Sequence, residues 1–370
     1  MQIPDQYRLN DTTKVITPSL LVYPKLIEKN IQRMVTIAAG TEYLRPHVKT
    51  HKMAEIIQMQ MYQGIRKFKC ATIAEAELLA KCSAQDILLA MQAVGANMVR
   101  FFKLMEKYPN IKFSTLVDNS KTLQKFASLA KTRKNSISLW LDINNGMNRT
   151  GIVPETAALE LYKNMASTPN VWVKGLHVYD GHLRNPNSLE RKKECDHAFD
   201  QVLKLKKNIE DEGLEVPSIV AGGSPTFPFH AQRENVETSP GTTLLWDAGY
   251  GGQFTDMNFI AAAVLITRVI SKPNKNLLCF DLGHKYIAPE MGFPRVKIFG
   301  LEVSQQIAQS EEHLVVECSN ADKHEVGDVF YAIPMHICPT VAKYPSVLTV
   351  ENNELTGSWK VAARNQKLDI

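Results

Sequence analysis

Phe68-Lys69-Cys70-Ala71-Thr72, a following segment 73–82, and Asp86-Ile87-Leu88-Leu89-Ala90 form the stretch that decides the fold. The two outer runs are short and apolar without period-two alternation, as strands buried on both faces are. Between them Ala74, Glu75, Ala76 and Glu77 favour helix. The stretch therefore reads as strand, helix, strand. Upstream, Ser19-Leu20-Leu21-Val22-Tyr23 reads as a strand. Pro24 opens a helix with Leu26, Ile27, Ile31, Met34, Val35 and Ala38 at helical spacing, and Gly40 closes it. A strand over 44–49 and a helix over 53–63 come next. Downstream the spacing predicts strands over 113–118, 136–143, 171–179, 218–221 and 243–246. Helices are expected over 97–108, 120–132, 154–166 and 188–212. About eight alternations predict an α/β fold, a closed parallel (β/α)8 TIM-type barrel. An open doubly wound sheet is the competitor, and the repeat count demotes it.

After about residue 255 the texture changes to β-branched segments separated by turns. Strands are expected over 261–270, 276–281, 300–303, 313–317, 329–333 and 346–350, with turns at Pro273-Asn274, Asn320-Ala321-Asp322 and Asn352-Asn353. The expected organisation is a barrel over 17–255 and a mostly antiparallel β-domain over 256–370, which residues 1–16 join. Apolar content of 44%, charged content of 22% and a dispersed net charge of +5 over 370 residues are ordinary. They favour a small anionic ligand over nucleic acid. No apolar run reaches the roughly 20 residues that span a bilayer, and the first residues lack signal-peptide character, so no membrane association and a cytoplasmic location are expected. Six cysteines without framework spacing read as free thiols unless one binds metal.

In such a barrel, chemistry collects at the carboxyl ends of strands. Lys49 in Arg45-Pro46-His47-Val48-Lys49-Thr50-His51-Lys52 would sit there. Nearby cations Arg45 and Lys52 would disfavour its ammonium form and make it a nucleophile for a carbonyl; a basic loop binding counterions is the plainer reading of these residues alone. The same mouth would receive 142–149 with Arg149, 179–182, and the turn Gly222-Gly223-Ser224. That turn and Pro240-Gly241-Thr242 have the composition of anion cradles, although an ordinary turn is the plainer reading of either taken singly. In the β-domain, His336 and Cys338 on a strand would project to one face and share a divalent metal, most naturally zinc. Two ligands are few for a structural site, so a catalytic ion and a merely buried thiol stand level.

Taken together, Thr17-Pro18-Ser19, the Arg45 to Lys52 run, Cys70-Ala71-Thr72, the Arg149 loop, Tyr179-Asp180-Gly181-His182, the two glycine turns, Ser310-Glu311-Glu312-His313 and His336-Ile337-Cys338 resemble the D-threonine aldolase and D-serine dehydratase family. These are fold-type III pyridoxal-phosphate enzymes related to alanine racemase. The resemblance implies that Lys49 carries pyridoxal 5'-phosphate, with Arg149 and Tyr179 beside its ring. Gly222, Gly223, Ser224, Gly241 and Thr242 would cradle its phosphate. His336 and Cys338 would hold a divalent ion (Zn, Mn or Mg), and Tyr179-Asp180-Gly181-His182 leans toward the aldolases. His182, Asn185, Glu312 and His313 would face the substrate, with His182 or a metal-bound water as the base. The implied reaction is retro-aldol cleavage of D-threonine or a related D-β-hydroxy-α-amino acid to glycine and an aldehyde, by a homodimer whose β-domain caps the barrel mouth. D-serine dehydration, cleavage of D-3-hydroxyaspartate, and a cofactor carrier without turnover are the alternatives.

Overall fold

The computed structural model describes residues 2–370. The chain divides into two compact units. One comprises the chain to Ile31, Thr50–Ile56 and Thr242–Arg364; the other comprises Gln32–Lys49, Ile57–Gly241 and Asn365–Ile370. Among the described residues no helix is long and apolar enough to cross a membrane.

In chain order the first elements are β1 (Ser19–Val22), α1 (Pro24–Ile37) and α2 (Ala54–Tyr62). Next come β2 (Lys67–Cys70), α3 (Ile73–Lys81), β3 (Asp86–Leu89), α4 (Ala96–Lys107), β4 (Lys112–Val117) and α5 (Ser120–Thr132). The run ends with β5 (Ile137–Ile143), α6 (Thr156–Ser167), β6 (Val171–Val178), α7 (Ser188–Asp211), β7 (Ile219–Ala221), α8 (Phe227–His230) and β8 (Val236–Thr238). Strands β2 to β8 lie side by side in sequence order and pair in parallel.

Residues 44–48 close the circle. Arg45 N–H donates to the Thr238 carbonyl at 2.9 Å and Thr238 N–H to the Tyr43 carbonyl at 2.8 Å, while Val48 and Lys69 exchange bonds with Lys69 and Pro46 carbonyls at 3.0 and 2.9 Å. Pro46 has no N–H to donate, so the strand is interrupted there and survives as bridges to β8 and β2. The predicted barrel is thus present with eight strand positions. Its interior is filled by side chains, including the cluster Leu88, Leu116, Trp140 and Val220, and Trp140 Nε1 donates to Ser114 Oγ at 3.0 Å. The capping chemistry of α3 explains the deciding stretch. Thr72 Oγ1 accepts from Glu75 N–H at 3.1 Å, and the Glu75 carboxylate accepts from Ala71 N–H at 2.6 Å.

The count of eight is reached differently from the sequence expectation. The segment at 243–246 is no strand: Leu245 and Trp246 N–H both return to the Thr242 carbonyl, at 3.2 and 2.7 Å, and close a turn behind Pro240. The missing strand is the three-residue β8, whose polar Glu237 disguised it. Ser19–Val22 pairs outside the barrel, antiparallel to a long strand β9 (Ala263–Asn274) that follows a short helix α9 (Ala248–Gln253).

That second sheet continues through β10 (Leu277–Phe280), β11 (Val296–Ile298), β12 (Gln305–Gln309), β13 (Leu314–Glu317), β14 (Val329–Pro334), then helix α10 (Ile337–Val341), β15 (Ser346–Glu351) and β16 (Glu354–Lys360). Its order is β12-β13-β10-β9-β1-β15-β16, with β14 on β9 and β11 on β14, and among the described residues β1 with β15 is its one parallel pair. The mostly antiparallel domain is as expected, except that 300–303 is a turn, Pro273-Asn274 ends strand β9 instead of forming a turn, and β11, β12 and β16 take strand positions that were not expected. Residues 1–16 were expected to pair elsewhere. Tyr7 Oη donates to the Ala261 carbonyl at 2.8 Å, and Arg268 binds the carbonyls of Thr12 and Val15 at 2.7 Å each.

Candidate active site

Lys49 lies exposed at the end of the first barrel strand, its N–H donating to His47 Nδ1 at 3.2 Å. Arg45 is not the neighbouring cation expected from the sequence. Its side chain is 1% exposed in the barrel interior and held by Asp86 and Glu237 at 2.7 and 2.6 Å, because a buried guanidinium requires carboxylate partners. The cation beside Lys49 is Lys69 of β2. It is buried, and burial first, then Lys49, pushes its pKa down from the usual lysine value to about 7, against the pull of Asp180 and Asp142. Lys69 Nζ lies 3.4 Å from His177 Nε2, and His177 Nδ1 lies 2.7 Å from Asp142 Oδ1. Burial and then Lys69 lower the His177 pKa, so the neutral ring donates from Nδ1 to Asp142 and accepts from Lys69. Strands β2, β5 and β6 thereby meet through side chains across the barrel.

Tyr179, just beyond β6, has the Arg149 guanidinium 4.7 Å above its ring and Lys69 Nζ at 5.7 Å. The ring folds back over Gly181, where a Cβ would lie 2.3 Å from Tyr179 Oη, so this position admits no side chain. Arg149 sits on a loop shaped by Asn144, whose Oδ1 accepts from the N–H groups of Gly146 and Asn148 at 3.1 and 3.0 Å. His182 is exposed and packs over Gly146, with Nε2 3.1 Å from where a Cβ would stand. The structure therefore brings Lys49, Arg149, Tyr179 and His182 to the carboxyl ends of the barrel strands. Asn185 is occupied otherwise, donating to Glu194 at 2.9 Å at the entry to α7.

The two glycine turns are joined. Gly241 N–H donates to Ser224 Oγ at 3.2 Å. Gly222, at φ +83°, could carry no Cβ without approaching His230 Cδ2 to 2.7 Å. Beneath the turn lies Asp180, 1% exposed, which accepts from Gly223 N–H at 3.1 Å and Thr226 Oγ1 at 2.7 Å and pairs with His230 Nε2 at 2.7 Å. Burial opposes its ionisation, but the bonds from His230, Thr226 and Gly223 outweigh that and hold its pKa below the usual carboxylate value. Cys195 Sγ completes this trio at 3.4 Å from His230, and burial pushes its pKa up to about 12. The ligand atoms of Asp180, Cys195 and His230 lie within 4.8 Å of one another, a possible ion site. The 2.7 Å carboxylate–imidazole separation is that of a hydrogen bond.

In the antiparallel unit, His336 and Cys338 do not lie on a strand. Strand β14 ends at Pro334, His336 is the cap residue of α10, and Cys338 is in the first turn of that helix. Pro339 explains the turn, since a proline suits the first turn of a helix and cannot continue a ladder. The two side chains nevertheless meet. The hydrogen bond with Cys338, against burial and helped by Glu290, raises the His336 pKa to about 9. Cys338 Sγ lies 3.1 Å from Thr50 Oγ1 and 3.5 Å from Thr242 Oγ1, and His336 Nδ1 lies 2.6 Å from Glu290 Oε1. Glu312 is paired with Lys285 at 2.6 Å, and His313 Nδ1 is 3.5 Å from Ser310 Oγ.

The alanine racemase N-terminal domain matches residues 23–248. The chain belongs to that family. A serine dehydratase domain matches residues 262–350 of this alanine racemase-like chain. Among its relatives are D-threonine aldolase of Arthrobacter sp, 26% identical with 95% of this chain and 93% of that protein covered, and 3-hydroxy-D-aspartate aldolase of Paracoccus denitrificans, 27% identical with 96% and 94% covered. D-serine dehydratase of Dictyostelium discoideum is 24% identical over 95% of this chain and 98% of its own. The crystal structure of D-threonine aldolase from Filomicrobium marinum shares the fold, with a TM-score of 0.88, 24% identity, and 95% and 96% of the two chains covered. The protein is accordingly a lyase of the pyridoxal-phosphate-dependent, alanine racemase-like enzymes.

The residues present fit that cofactor. Ser239, two positions before Gly241, has a buried hydroxyl with no hydrogen-bond partner among the described residues, which a ligand oxygen would satisfy. Next to it in the chain is the Gly241 turn, joined to Ser224 at 3.2 Å, and the first barrel strand ends in the exposed Lys49. The imidazole and thiol of His336 and Cys338 are in turn a donor set suited to a borderline-soft divalent ion. Sequence reasoning passed over Lys69 and His177, which looked like ordinary strand residues, and Glu290, which lies in an irregular segment. A charged residue inside an apolar strand was the available signal for Lys69.

Proposed function

We propose that this protein cleaves D-β-hydroxy-α-amino acids, D-threonine among them, to glycine and an aldehyde, using pyridoxal phosphate on Lys49 and a divalent ion on His336 and Cys338. The observation that carries the reading is that the residues next in the chain to Lys49 and Gly241, Thr50 and Thr242, both reach Cys338 Sγ. The aldolases above are also more similar to this chain than the dehydratase is, at 26% and 27% against 24% identity.

When bound, the cofactor supplies a sink for electrons left on Cα and the ion a Lewis acid for the β-hydroxyl. This chain's residues do the rest. Lys49 offers its amine as point of attachment and as proton donor to the glycine Cα. Gly222, Gly223, Ser224, Gly241 and Thr242 hold the phosphate with backbone and hydroxyl donors. Arg149, fixed in direction by the Tyr179 ring, supplies a planar cation for an anionic oxygen. His182, exposed at the barrel end, takes the β-hydroxyl proton as the Cα–Cβ bond breaks.

Incubation with D-threonine tests the reading. Glycine and acetaldehyde in equal amounts are expected, abolished by a chelator; 2-oxobutanoate and ammonia would replace cleavage by dehydration. A parallel assay with D-3-hydroxyaspartate decides whether a second carboxylate is preferred.

A further inference from the structure

We propose that Glu290 is a positioning residue for the ion site, holding the His336 ring so that Nε2 is its ligand nitrogen. The inference rests on the ion reading above and concerns a residue outside the His336-Ile337-Cys338 motif. Glu290 Oε1 lies 2.6 Å from His336 Nδ1, the length of a charge-assisted hydrogen bond. A carboxylate on one imidazole nitrogen fixes the tautomer and orientation and leaves the other nitrogen's lone pair for a metal.

The main chain at His336 is fixed independently. Its carbonyl accepts from Thr340 Oγ1 at 2.8 Å, and the next N–H, of Ile337, donates to Asp247 Oδ2 at 3.1 Å. Backbone placement therefore needs nothing from Glu290, and the ring rotation about the side-chain bonds is what the carboxylate controls. The groups facing His336 are Cys338, Glu290 and Asp247. Of these, the Asp247 carboxylate is spent on backbone N–H groups, accepting from Tyr250 N–H at 2.8 Å as well as from Ile337. Glu290 is the carboxylate whose 2.6 Å contact is on the ring itself, at Nδ1, and Cys338 is the ring's other hydrogen-bond partner. The side chains of His336 and Glu290 are 41% and 43% exposed, so replacing Glu290 removes the ring contact without opening the core.

The test is cobalt(II) titration of the full-length, cofactor-loaded protein, following the thiolate-to-cobalt absorption and deriving Kd by chelator competition. His336→Ala is expected to abolish the signal. Glu290→Ala is expected to weaken Kd about 10- to 100-fold, with the cofactor absorbance and thermal midpoint unchanged. Glu290→Gln, whose amide oxygen still accepts from Nδ1–H, is expected to recover to within about threefold of wild type. An unchanged Kd in Glu290→Ala overturns the inference. So does a Gln variant as weak as the Ala variant, which would mean that the charge acts rather than the orientation. Absence of cobalt binding in the wild type, or binding undiminished in His336→Ala, overturns the ion reading and this inference with it.

Discussion

The barrel end around Lys49 and the cap of α10 at His336 each bring together a few reactive side chains, but they are built in opposite ways. Lys49 and Arg149 are exposed, yet what lies behind them is buried: Lys69 at 2% exposure, His177 at 4%, Asp142 at 5% and Asp180 at 1%. At His336 the supporting bond to Glu290 is itself about two-fifths exposed. A buried polar network is costly to break because each orphaned partner loses hydration without replacement, whereas an exposed bond returns its groups to water. Removing a shared acceptor such as Asp180 from behind the barrel end should therefore cost stability, and substitutions at His336 should cost ligand affinity alone.

The largest expected effect sits on the exposed side of that contrast. Lys49→Ala should remove the visible absorbance of bound cofactor and lower turnover by at least about 10³-fold, while the melting temperature stays near wild type. Retained absorbance would reassign the attachment point. Asp180→Ala should do the reverse. It takes the shared carboxylate acceptor from His230, Thr226 Oγ1 and Gly223 N–H, leaving Gly223 the weaker bond to Thr226 Oγ1 at 3.2 Å, and should cost about 3–5 kcal/mol in denaturant unfolding, with weakened cofactor binding following from a loosened turn. A stable Asp180→Ala protein would refute the view that the turn is held from below.

Lys69 sharpens the comparison further, because a buried amine of low pKa makes stability depend on pH. Its folded pKa is about 7 against an ordinary 10.5, lowered by burial first and by Lys49 second. Between those values the unfolded chain binds a proton that the folded chain does not, so stability rises with pH across this window and the full penalty stands below it. Lys69→Met should therefore stabilise by about 1–4 kcal/mol near pH 6, with the gain shrinking toward pH 10. A gain that does not vary with pH would contradict the assignment.

What the sequence revealed follows the same division. The barrel was legible because two-sided burial makes its strands continuous apolar runs, and the placement of Lys49, Arg149 and the glycine turns beyond strand ends because each lies in a short motif that follows such a run. The three-residue β8 was not, since Glu237 sits there to pair with Arg45, a contact between residues far apart in the chain. The same holds for Lys69 with His177. For His336 and Cys338 the pairing was legible but its geometry was not, because the cue was Pro339, whose helix-starting role outweighed the strand before it. Glu290 left no trace, being a polar residue in an irregular loop.

The smallest expected effect lies at Thr50, whose hydroxyl is 3.1 Å from Cys338 Sγ and whose side chain is buried. Thr50→Val keeps the shape and removes the hydroxyl. If the hydroxyl donates to sulfur, it favours the thiolate, the form that binds an ion; if it only accepts from the thiol, its removal favours neither. The first case predicts a cobalt Kd weakened by about 3- to 10-fold, matching roughly 0.5–1.5 kcal/mol for one hydrogen bond, with Thr50→Ser close to wild type. The second predicts a change in thermal midpoint without a change in Kd. A Kd effect in Thr50→Val would mean that the ion site, unlike the Glu290 bond, also draws on one buried support, and that the contrast between the two regions is one of degree at this residue.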